Sequence, residues 1–257
     1  MVLSVRLRSA VALAGRYPVL AGVDLEVAEG EVLVLRGSNG AGKTSLLRVL
    51  AGLLPLSAGE ISVLGLDPVA ESRELRPQVG LLGHRNGLYD DLSARDNVRF
   101  AVRASRLPGR SVDGALDRMG LTGRLRDLPA GRLSAGQRRR VALAALVARS
   151  PRLWLLDEPH AGLDSEHRSL LDDLLTDVAG EGATVVLASH EVLPDELTSR
   201  RTAYMAGGMV VEGGGPLAEG AVPAVGPEGA VPAARPAGAG PVPGHGELEG
   251  AEVPSVA

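Results

Sequence analysis

The amino-acid sequence predicts an α/β fold built on a mainly parallel β-sheet. Short apolar runs at residues 32–35, 153–156 and 184–188 have the length and composition of buried strands. Helical patterns occupy residues 44–50 and 165–178 between them. Helices that alternate with strands are typical of the connections between parallel strands, so these segments predict a parallel α/β core.

Residues from about 92 to 150 differ from this core. They carry helical patterns at 94–105, 112–119 and 138–149, with no convincing strand before residue 131. We interpret the region as a helical insert in a domain that covers residues 1–212. Residues 213–257 hold eight of the chain's 17 prolines and no aromatic residue, so we expect a disordered tail rich in glycine, proline and alanine.

Composition excludes several classes of protein. Hydrophobic residues make up 45% of the 257 residues, which is enough for a sizeable core, and the absence of cysteine excludes disulfides and thiolate metal sites. No apolar run is long enough to predict a membrane span, and arginines interrupt the N-terminal apolar stretch, which argues against a signal peptide. The tail alone accounts for the net charge of −4, so residues 1–212 are neutral. A neutral domain lacks the basic surface of a nucleic-acid binder, so no nucleic-acid partner is expected.

An eight-residue motif follows the first of these strands. Residues 37–44 read GSNGAGKT and match the phosphate-binding pattern GxxxxGK[ST]. In such a loop, backbone N–H groups and the N-terminus of the next helix attract phosphate oxygens. The residues expected to bind a nucleotide are those of the loop and of the helix start: Gly37, Ser38, Asn39, Gly40, Ala41, Gly42, Lys43, Thr44 and Ser45.

Lys43 is the only lysine among the chain's 27 lysine and arginine residues. A bias toward arginine could leave one lysine anywhere, but this one occupies the motif position where a compact ammonium group suits phosphate better than a planar guanidinium. We expect Lys43 to bridge the β- and γ-phosphates. Thr44 is expected to supply a hydroxyl ligand to Mg²⁺, which prefers oxygen.

Two adjacent acids, Asp157 and Glu158, follow the apolar run at 153–156. At the end of a strand the chain turns, so both carboxylates can reach one site. We expect Asp157 to hold Mg²⁺ through water and Glu158 to orient and polarise the attacking water. A surface Asp-Glu pair after a core strand is the ordinary alternative, but a P-loop earlier in the chain favours the catalytic interpretation.

The segment LSAGQ, residues 133–137, precedes the helical pattern in which Arg138, Arg139 and Arg140 are expected to form one solvated face. Ser134 has the position of an N-cap, so an ordinary helix start is one interpretation. The other is a second anion-binding helix end that faces a γ-phosphate. The distance along the chain from Lys43 does not decide whether both motifs serve the same phosphate.

The order of the motifs resembles that of the ATP-binding subunit of ABC transporters. LSAGQ stands just upstream of LLDEP, AGLD follows at 161–164, and an expected strand ends in Ser189 and His190. The resemblance covers nearly all of residues 1–212. It implies a P-loop NTPase fold of ABC type, with antiparallel N-terminal strands and a helical subdomain, and it implies ATP and Mg²⁺ as ligands.

The same resemblance implies two kinds of partner. A second ATP-binding subunit would dimerise head to tail, so that Ser134, Gly136 and Gln137 of one copy complete the ATP site of the other and Asp164 lies at the interface. His190 is expected to contact the γ-phosphate. Integral membrane permease subunits are the other partners, which implies a peripheral position on the cytoplasmic side of the cell membrane.

Two positions depart from the family pattern. Ala14 stands where an aromatic residue usually stacks on adenine, and Tyr17 follows three residues later as the remaining candidate. His84 stands where a glutamine usually offers an oxygen to Mg²⁺. Because imidazole matches that hard cation poorly, we do not expect His84 to coordinate the metal.

Two stretches resemble one subgroup, the ATPases of the haem exporter used in cytochrome c maturation. They are LGHRNGLYDDLSARDNVRF at 82–100 and RLWLLDEP at 152–159. The expected function is therefore ATP hydrolysis that powers haem export or c-type cytochrome biogenesis. An ATPase of a drug or lipid exporter and a non-hydrolysing ATP-binding regulatory module are the alternatives. No haem site is expected at His84 or His160, because a lone histidine beside a nucleotide site is more often structural.

Overall fold

The computed structural model describes residues 2–106, 108–190 and 201–212. The tail predicted for residues 213–257 lies outside these ranges. Within the described ranges, no helix combines the length and the apolar character needed to cross a membrane.

The described part of the chain contains nine β-strands and six α-helices. The strands are β1 Leu3–Ala14, β2 Tyr17–Ala28, β3 Val32–Arg36, β4 Ala58–Val63, β5 Val79–Leu82, β6 Leu153–Asp157, β7 Thr184–Ala188, β8 Arg201–Ala206 and β9 Met209–Glu212. The α-helices are α1 Lys43–Leu50, α2 Ser72–Leu75, α3 Ala94–Ser105, α4 Val112–Arg118, α5 Ala135–Arg149 and α6 Ser165–Gly180. Short 3₁₀ helices cover Arg76–Gln78, Gly123–Asp127 and Ala130–Arg132. Each strand and helix expected from the sequence is present, with bounds that differ by a few residues at most.

The strands form two sheets. A three-stranded antiparallel sheet has the order β2-β1-β4, and a six-stranded sheet has the order β5-β6-β7-β3-β8-β9. In the larger sheet all neighbours are parallel except β8 and β9, which form an antiparallel hairpin. The predicted combination of a mainly parallel core and antiparallel N-terminal strands is therefore confirmed.

The large sheet separates two apolar cores. In β6, Trp154 and Leu156 pack with helices α3 to α6, whereas Leu153 and Leu155 pack with α1 and the small sheet. The indole N–H of Trp154, which is 1% exposed, donates to the carbonyl of Pro151 at 3.0 Å. Because both faces of this strand are covered, its sequence is continuously apolar and does not alternate.

Between residues 92 and 150 the described part of the chain forms three α-helices. Each begins at a serine whose hydroxyl accepts a backbone N–H: Ser93 from Asp96, Ser111 from Gly114, and Ser134 from the third residue of α5. These caps satisfy N–H groups that a helix start leaves unpaired, which explains where each helix begins. No strand occurs among the described residues of this region.

Three neighbouring parallel strands, β6, β7 and β3, end at the same edge of the large sheet. Asp157 is the last residue of β6, Ser189 and His190 follow β7, and Gly37 follows β3. Ligands of open α/β sheets bind beyond the carboxyl ends of the strands. The topology therefore brings the predicted P-loop and the two predicted acids to one edge.

Candidate functional site

The loop between β3 and α1 has three glycines with positive φ, Gly37, Gly40 and Gly42, and the first and last of these also lie against a neighbouring backbone. Gly37 and Gly42 have φ angles of 150° and 107°, a region that L-residues rarely adopt. A Cβ at Gly37 would lie 2.3 Å from the carbonyl oxygen of Met205, and one at Gly42 would lie 2.8 Å from that of Val19. The loop is thus held close to two neighbouring backbones while Ser38, Asn39 and Gly40 stay exposed.

Lys43, the first residue of α1, lies across this loop. Its ammonium group donates to the carbonyl oxygens of Gly37 at 2.7 Å and of Ser38 at 3.1 Å, and the residue is only 8% exposed. Ala41, also buried, and Ser45, which is partly buried, pack at the helix start. The single lysine therefore lies inside the loop, where the loop's N–H groups and the start of α1 would meet phosphate oxygens.

A hydrogen bond joins the P-loop to the end of β6. The hydroxyl of Thr44 donates to a carboxylate oxygen of Asp157 at 2.8 Å. Asp157 is 6% exposed, so its charge is largely removed from water. Residues that lie 113 positions apart in the chain thus place a hydroxyl and a carboxylate side by side.

Glu158 has an unusual backbone conformation. Its φ of 47° lies in the left-handed region, which costs a non-glycine residue on the order of 1–3 kcal/mol. Its N–H donates to the carbonyl of Ala188, at the end of the neighbouring strand β7, at 2.9 Å. The chain therefore turns directly after Asp157, so Glu158 does not continue the alternation of side chains along β6.

Glu158 and His190 form a pair at the sheet edge. Nδ1 of His190 lies 2.8 Å from Oε2 of Glu158, and the backbone N–H of His190 donates to the same oxygen at 3.4 Å. The side chains are 27% exposed for Glu158 and 64% for His190. Both groups are accessible to a substrate while each fixes the other.

Ser134 and Gln137 form a capping box at the start of α5. The hydroxyl of Ser134 accepts the N–H of Gln137 at 3.2 Å, and the side-chain oxygen of Gln137 accepts the N–H of Ser134 at 2.9 Å. A Cβ at Gly136 would lie 2.7 Å from the carbonyl oxygen of Gly162. The LSAGQ segment therefore packs directly on the AGLD segment.

Asp164 caps α6. Its carboxylate accepts the backbone N–H of His167 at 3.0 Å and lies 2.6 Å from Nδ1 of that histidine. These hydrogen bonds lower the pKa of Asp164 below its ordinary value. The side chain of Asp164 is 68% exposed, so it remains open to a partner.

The expectation that Arg138, Arg139 and Arg140 share one solvated face is wrong. Arg139 is 5% exposed and the other two are partly buried. Consecutive residues of an α-helix point about 100° apart, so three in a row cannot share a face. Arg138 pairs with Asp90 at 2.7 Å, and Arg140 donates to the carbonyl of Gly120 at 3.1 Å.

Arg139 is a site residue that the sequence patterns do not single out. Its guanidinium donates to the carbonyls of Asp157 at 2.7 Å and of Glu158 at 2.8 Å, on the turn that carries both acids. Arginines are common in this chain, so composition gives no signal. The one available hint is helical spacing, because Ala142 and Leu143 follow Arg139 by three and four residues and share its side of the helix, which favours burial.

At the two departures from the family pattern, the side chains concerned, those of Tyr17 and His84, are exposed. Tyr17 lies opposite Ala14 in the β1–β2 hairpin and is 79% exposed, two residues before Val19, whose carbonyl touches the P-loop at Gly42. His84 is exposed in the loop after β5. His160 is 3% exposed and its Nε2 lies 3.0 Å from Asp172, so it is tied into the fold.

The predicted site residues fall into two groups. Direct hydrogen bonds connect the P-loop with Asp157 and connect Glu158 with His190. Among the described residues, no hydrogen bond or ion pair joins Ser134, Gly136 or Gln137 to the P-loop of the same chain. The second group is instead the LSAGQ segment packed on the loop that ends at Asp164.

Comparison of the sequence with known proteins identifies one family. Residues 20–161 match the family model described as ABC transporter. The Cytochrome c biogenesis ATP-binding export protein CcmA 2 of Cupriavidus metallidurans is 42% identical over 187 residues, which are 71% of this chain and 87% of the relative. The protein CcmA of Bordetella bronchiseptica is 43% identical over 178 residues, 68% of this chain and 77% of the relative.

A solved structure agrees with the fold. The dimeric structure of MJ0796, a bacterial ABC transporter cassette, aligns with a TM-score of 0.72 over 82% of this chain and 99% of that chain. The two sequences are 24% identical, so this likeness bears on the fold alone.

Proposed function

The chain belongs to the ABC transporter family and is an ABC-type ATPase, and we propose that it powers export for c-type cytochrome biogenesis. One observation carries the catalytic part of the proposal. The hydrogen bond from Thr44 to Asp157 joins a phosphate-binding loop to a strand end whose next residue is Glu158. A nucleoside triphosphate held by the loop would then have its γ-phosphate beside the acids.

The P-loop binds the triphosphate of ATP. Its N–H groups and the N-terminus of α1 supply the positive dipole, and the exposed residues Ser38, Asn39 and Gly40 form the approach. Lys43 exchanges its bonds to the carbonyls of Gly37 and Ser38 for bonds to phosphate oxygens. The positive charge stays in the same place, so binding requires little rearrangement.

Thr44 and Asp157 suit Mg²⁺. The ion takes oxygen ligands and is commonly held by one or two carboxylates together with substrate phosphates. A hydroxyl and a nearly buried carboxylate 2.8 Å apart fit that donor set, with Thr44 as a direct ligand and Asp157 acting through water. When bound, the ion neutralises charge on the phosphates.

Glu158 activates the attacking water. The water oxygen bonds to the γ-phosphorus while the bond from that phosphorus to the oxygen bridging to ADP breaks, and the proton released from water passes to the carboxylate of Glu158. The products are ADP and inorganic phosphate. His190, 2.8 Å from Oε2 of Glu158, fixes the carboxylate. In this proposal its exposed imidazole also contacts the γ-phosphate.

Ser134, Gly136 and Gln137 act on the ATP of a second copy of the chain. The start of α5, with Ser134 exposed at its cap, is a helix N-terminus that favours an anion. In the described part of the chain, no hydrogen bond or ion pair joins this segment to the P-loop of the same chain. That separation supports a head-to-tail homodimer. Asp164, exposed beside this segment, lies at the interface between the copies.

The cargo follows from the relatives. Both curated relatives described above are named as ATP-binding export proteins of cytochrome c biogenesis. We therefore assign haem, or another component needed for c-type cytochromes, as the exported substance. Separate integral membrane permease subunits provide the path, and the chain binds them from the cytoplasmic side of the cell membrane.

ATP turnover by the purified full-length chain tests the catalytic part. Glu158→Gln is expected to lower turnover by about 10²-fold or more while nucleotide binding is retained. Glu60→Gln, at an exposed glutamate of β4, is the matched control and should match the native rate. A native chain no faster than Glu158→Gln would show that hydrolysis is not its activity.

Loss of the gene tests the cargo. Cells without the chain should lack covalently bound haem in c-type cytochromes, measured by haem staining of separated proteins. Complementation with the native gene should restore the signal, and complementation with the Glu158→Gln gene should not. Normal haem staining in the deleted strain would contradict the assignment while leaving the ATPase activity intact.

A further inference from the structure

The guanidinium of Arg139 connects two loops at the candidate site. Besides the carbonyls of Asp157 and Glu158, it donates to the carbonyl of Pro159 at 3.3 Å. On the other side it donates to the carbonyl of Gly83 at 2.7 Å and to the side-chain oxygen of Asn86 at 3.2 Å. One side chain thus joins the turn after β6 to the loop after β5.

All the hydrogen-bonding capacity of this guanidinium is used. Arginine has five N–H donors, and here one hydrogen bond leaves Nε and two leave each Nη. Burial lowers the pKa of Arg139, and the charges of Asp157 and Glu158 act in the opposite direction. A lysine, with three donors on one atom, could not span the same set of acceptors.

The contacts hold a turn that is strained. Glu158 has its φ of 47°, and its N–H is fixed by the carbonyl of Ala188. Arg139 binds the carbonyl of Glu158 and the carbonyls on either side of it. A strained conformation persists only when its surroundings over-determine it, and these four hydrogen bonds do so from both sides of the residue.

We propose that Arg139 is a positioning residue that sets the carboxylate of Glu158 against the attacking water and couples that turn to the loop at Gly83–Asn86. The proposal rests on the proposed role of Glu158 in hydrolysis. Arg139 acts through the backbone of the turn. Among the described residues, no hydrogen bond joins Arg139 to the P-loop or to Lys43. Its loss should therefore affect turnover and leave nucleotide affinity largely unchanged.

Arg140 provides a matched control. It is the next residue of α5, burial also lowers its pKa, and it donates to the carbonyls of Met119 and Gly120. Those acceptors belong to the segment after α4 and lie outside the catalytic turn. The two arginines therefore lie on the same helix and both donate to backbone carbonyls. They differ in the segment that they bind, which is the turn after β6 for Arg139 and the segment after α4 for Arg140.

The experiment compares Arg139→Gln, Arg139→Lys and Arg140→Gln in the full-length chain. We expect Arg139→Gln to lower kcat about tenfold or more while KM for ATP changes less than about threefold, because a small displacement of a catalytic group is costly. Arg139→Lys should recover only part of the rate. Arg140→Gln should keep native kcat and KM.

A double-variant cycle separates positioning from general damage. If Arg139 acts through Glu158, adding Arg139→Gln to Glu158→Gln should cause no further loss of turnover beyond about twofold. If Arg139→Gln does not fold, as judged by its melting temperature, Arg139→Lys replaces it in the same cycle. A full additional loss in the Glu158→Gln background would overturn the proposal.

Two further outcomes would also overturn it: native kcat in Arg139→Gln, or an equal fall in kcat for Arg139→Gln and Arg140→Gln. The proposed function is tested separately in the same preparations. Glu158→Gln alone should lose turnover, and a failure of that result would remove the premise. Loss of turnover in Glu158→Gln together with native kcat in Arg139→Gln would contradict only the role of Arg139.

Discussion

Nδ1 of His190 lies 2.8 Å from Oε2 of Glu158, although the two residues come from the ends of different strands. The pairing exists because β6 and β7 are parallel neighbours and the N–H of Glu158 bonds to Ala188, two residues before His190. The sheet itself therefore sets the distance between the two groups proposed to act on water and γ-phosphate.

Replacing His190 tests whether this pairing matters for chemistry. His190→Ala removes the group that fixes the Glu158 carboxylate, so kcat should fall at least about tenfold with little change in ATP affinity. His190→Asn, whose amide can still donate near the position of Nδ1, should retain more activity. Turnover and binding of a fluorescent ATP analogue measure the two effects. Native kcat in His190→Ala would mean that the pair is structural only.

Replacing Thr44 tests the proposed Mg²⁺ ligands. Thr44→Val keeps the shape but removes the hydroxyl, so the Mg²⁺ concentration needed for half-maximal turnover should rise. Asp157, which is 6% exposed, would lose its partner, and the cost should be about 1–3 kcal/mol in the free energy of unfolding. Thr44→Ser keeps the hydroxyl and should remain near native in both measurements. An unchanged Mg²⁺ requirement in Thr44→Val would contradict the assignment.

Local patterns were sufficient to predict the strands β3, β6 and β7, the helices α1, α3, α4, α5 and α6, and the P-loop. The antiparallel N-terminal strands were implied by the family resemblance, and β4, β5, β8, β9 and α2 were not predicted. The apolar runs of β3, β6 and β7 are continuous because both faces of the large sheet are covered, and the glycines of the loop are needed where φ is positive. The N-caps of α5 and α6 at Ser134 and Asp164 also follow from short-range chemistry. Each of these features leaves a pattern within a few neighbouring positions of the sequence.

The contacts of Arg139 could not be predicted in the same way. They join segments 18 and 56 residues away, at Asp157 and Gly83, and only the packing of α5 across the sheet brings those segments together. The left-handed φ of Glu158 is likewise a tertiary effect, since nothing in an Asp-Glu-Pro sequence requires it. Strained and buried polar positions are where local sequence rules fail, and here they coincide with the candidate site.

Gly136 is predicted to be intolerant of any side chain. A Cβ there would lie 2.7 Å from the carbonyl oxygen of Gly162, so Gly136→Ala should cost about 1–3 kcal/mol of stability and lower turnover by displacing the segment. Gly180→Ala, at the end of α6, meets nothing within 4 Å and should stabilise by about 0.4–1 kcal/mol. Denaturant unfolding measures both. Equal stability of the two variants would contradict the predicted contact.

Removal of the tail is predicted to leave hydrolysis unchanged. Every residue assigned here to nucleotide, Mg²⁺ or water precedes the end of β9, Met209–Glu212. A chain that ends at residue 213 should therefore show the native kcat and KM for ATP. The measurement is steady-state turnover of the truncated and full-length chains, together with their recovery in the membrane fraction. A large loss of turnover or of membrane recruitment would assign the tail a function.

Tyr17 is predicted to stack on the adenine of ATP. It would replace the aromatic residue that the family usually has at the position of Ala14. It is 79% exposed at the start of β2, and Val19, two residues later, touches the P-loop at Gly42 through its carbonyl. Because stacking of a base on an aromatic ring contributes about 1–3 kcal/mol, Tyr17→Ala should raise KM for ATP about tenfold with little change in kcat. Tyr17→Phe keeps the ring and should remain near native.

Tyr89→Ala is the control for the loss of an exposed tyrosine outside the adenine position. The ring of Tyr89 packs edge-on against Phe100, with ring centroids 5.0 Å apart. Inhibition by tripolyphosphate, which has no base, should be equal in Tyr17→Ala and the native chain, and a native KM in Tyr17→Ala would show that the base is held by other residues.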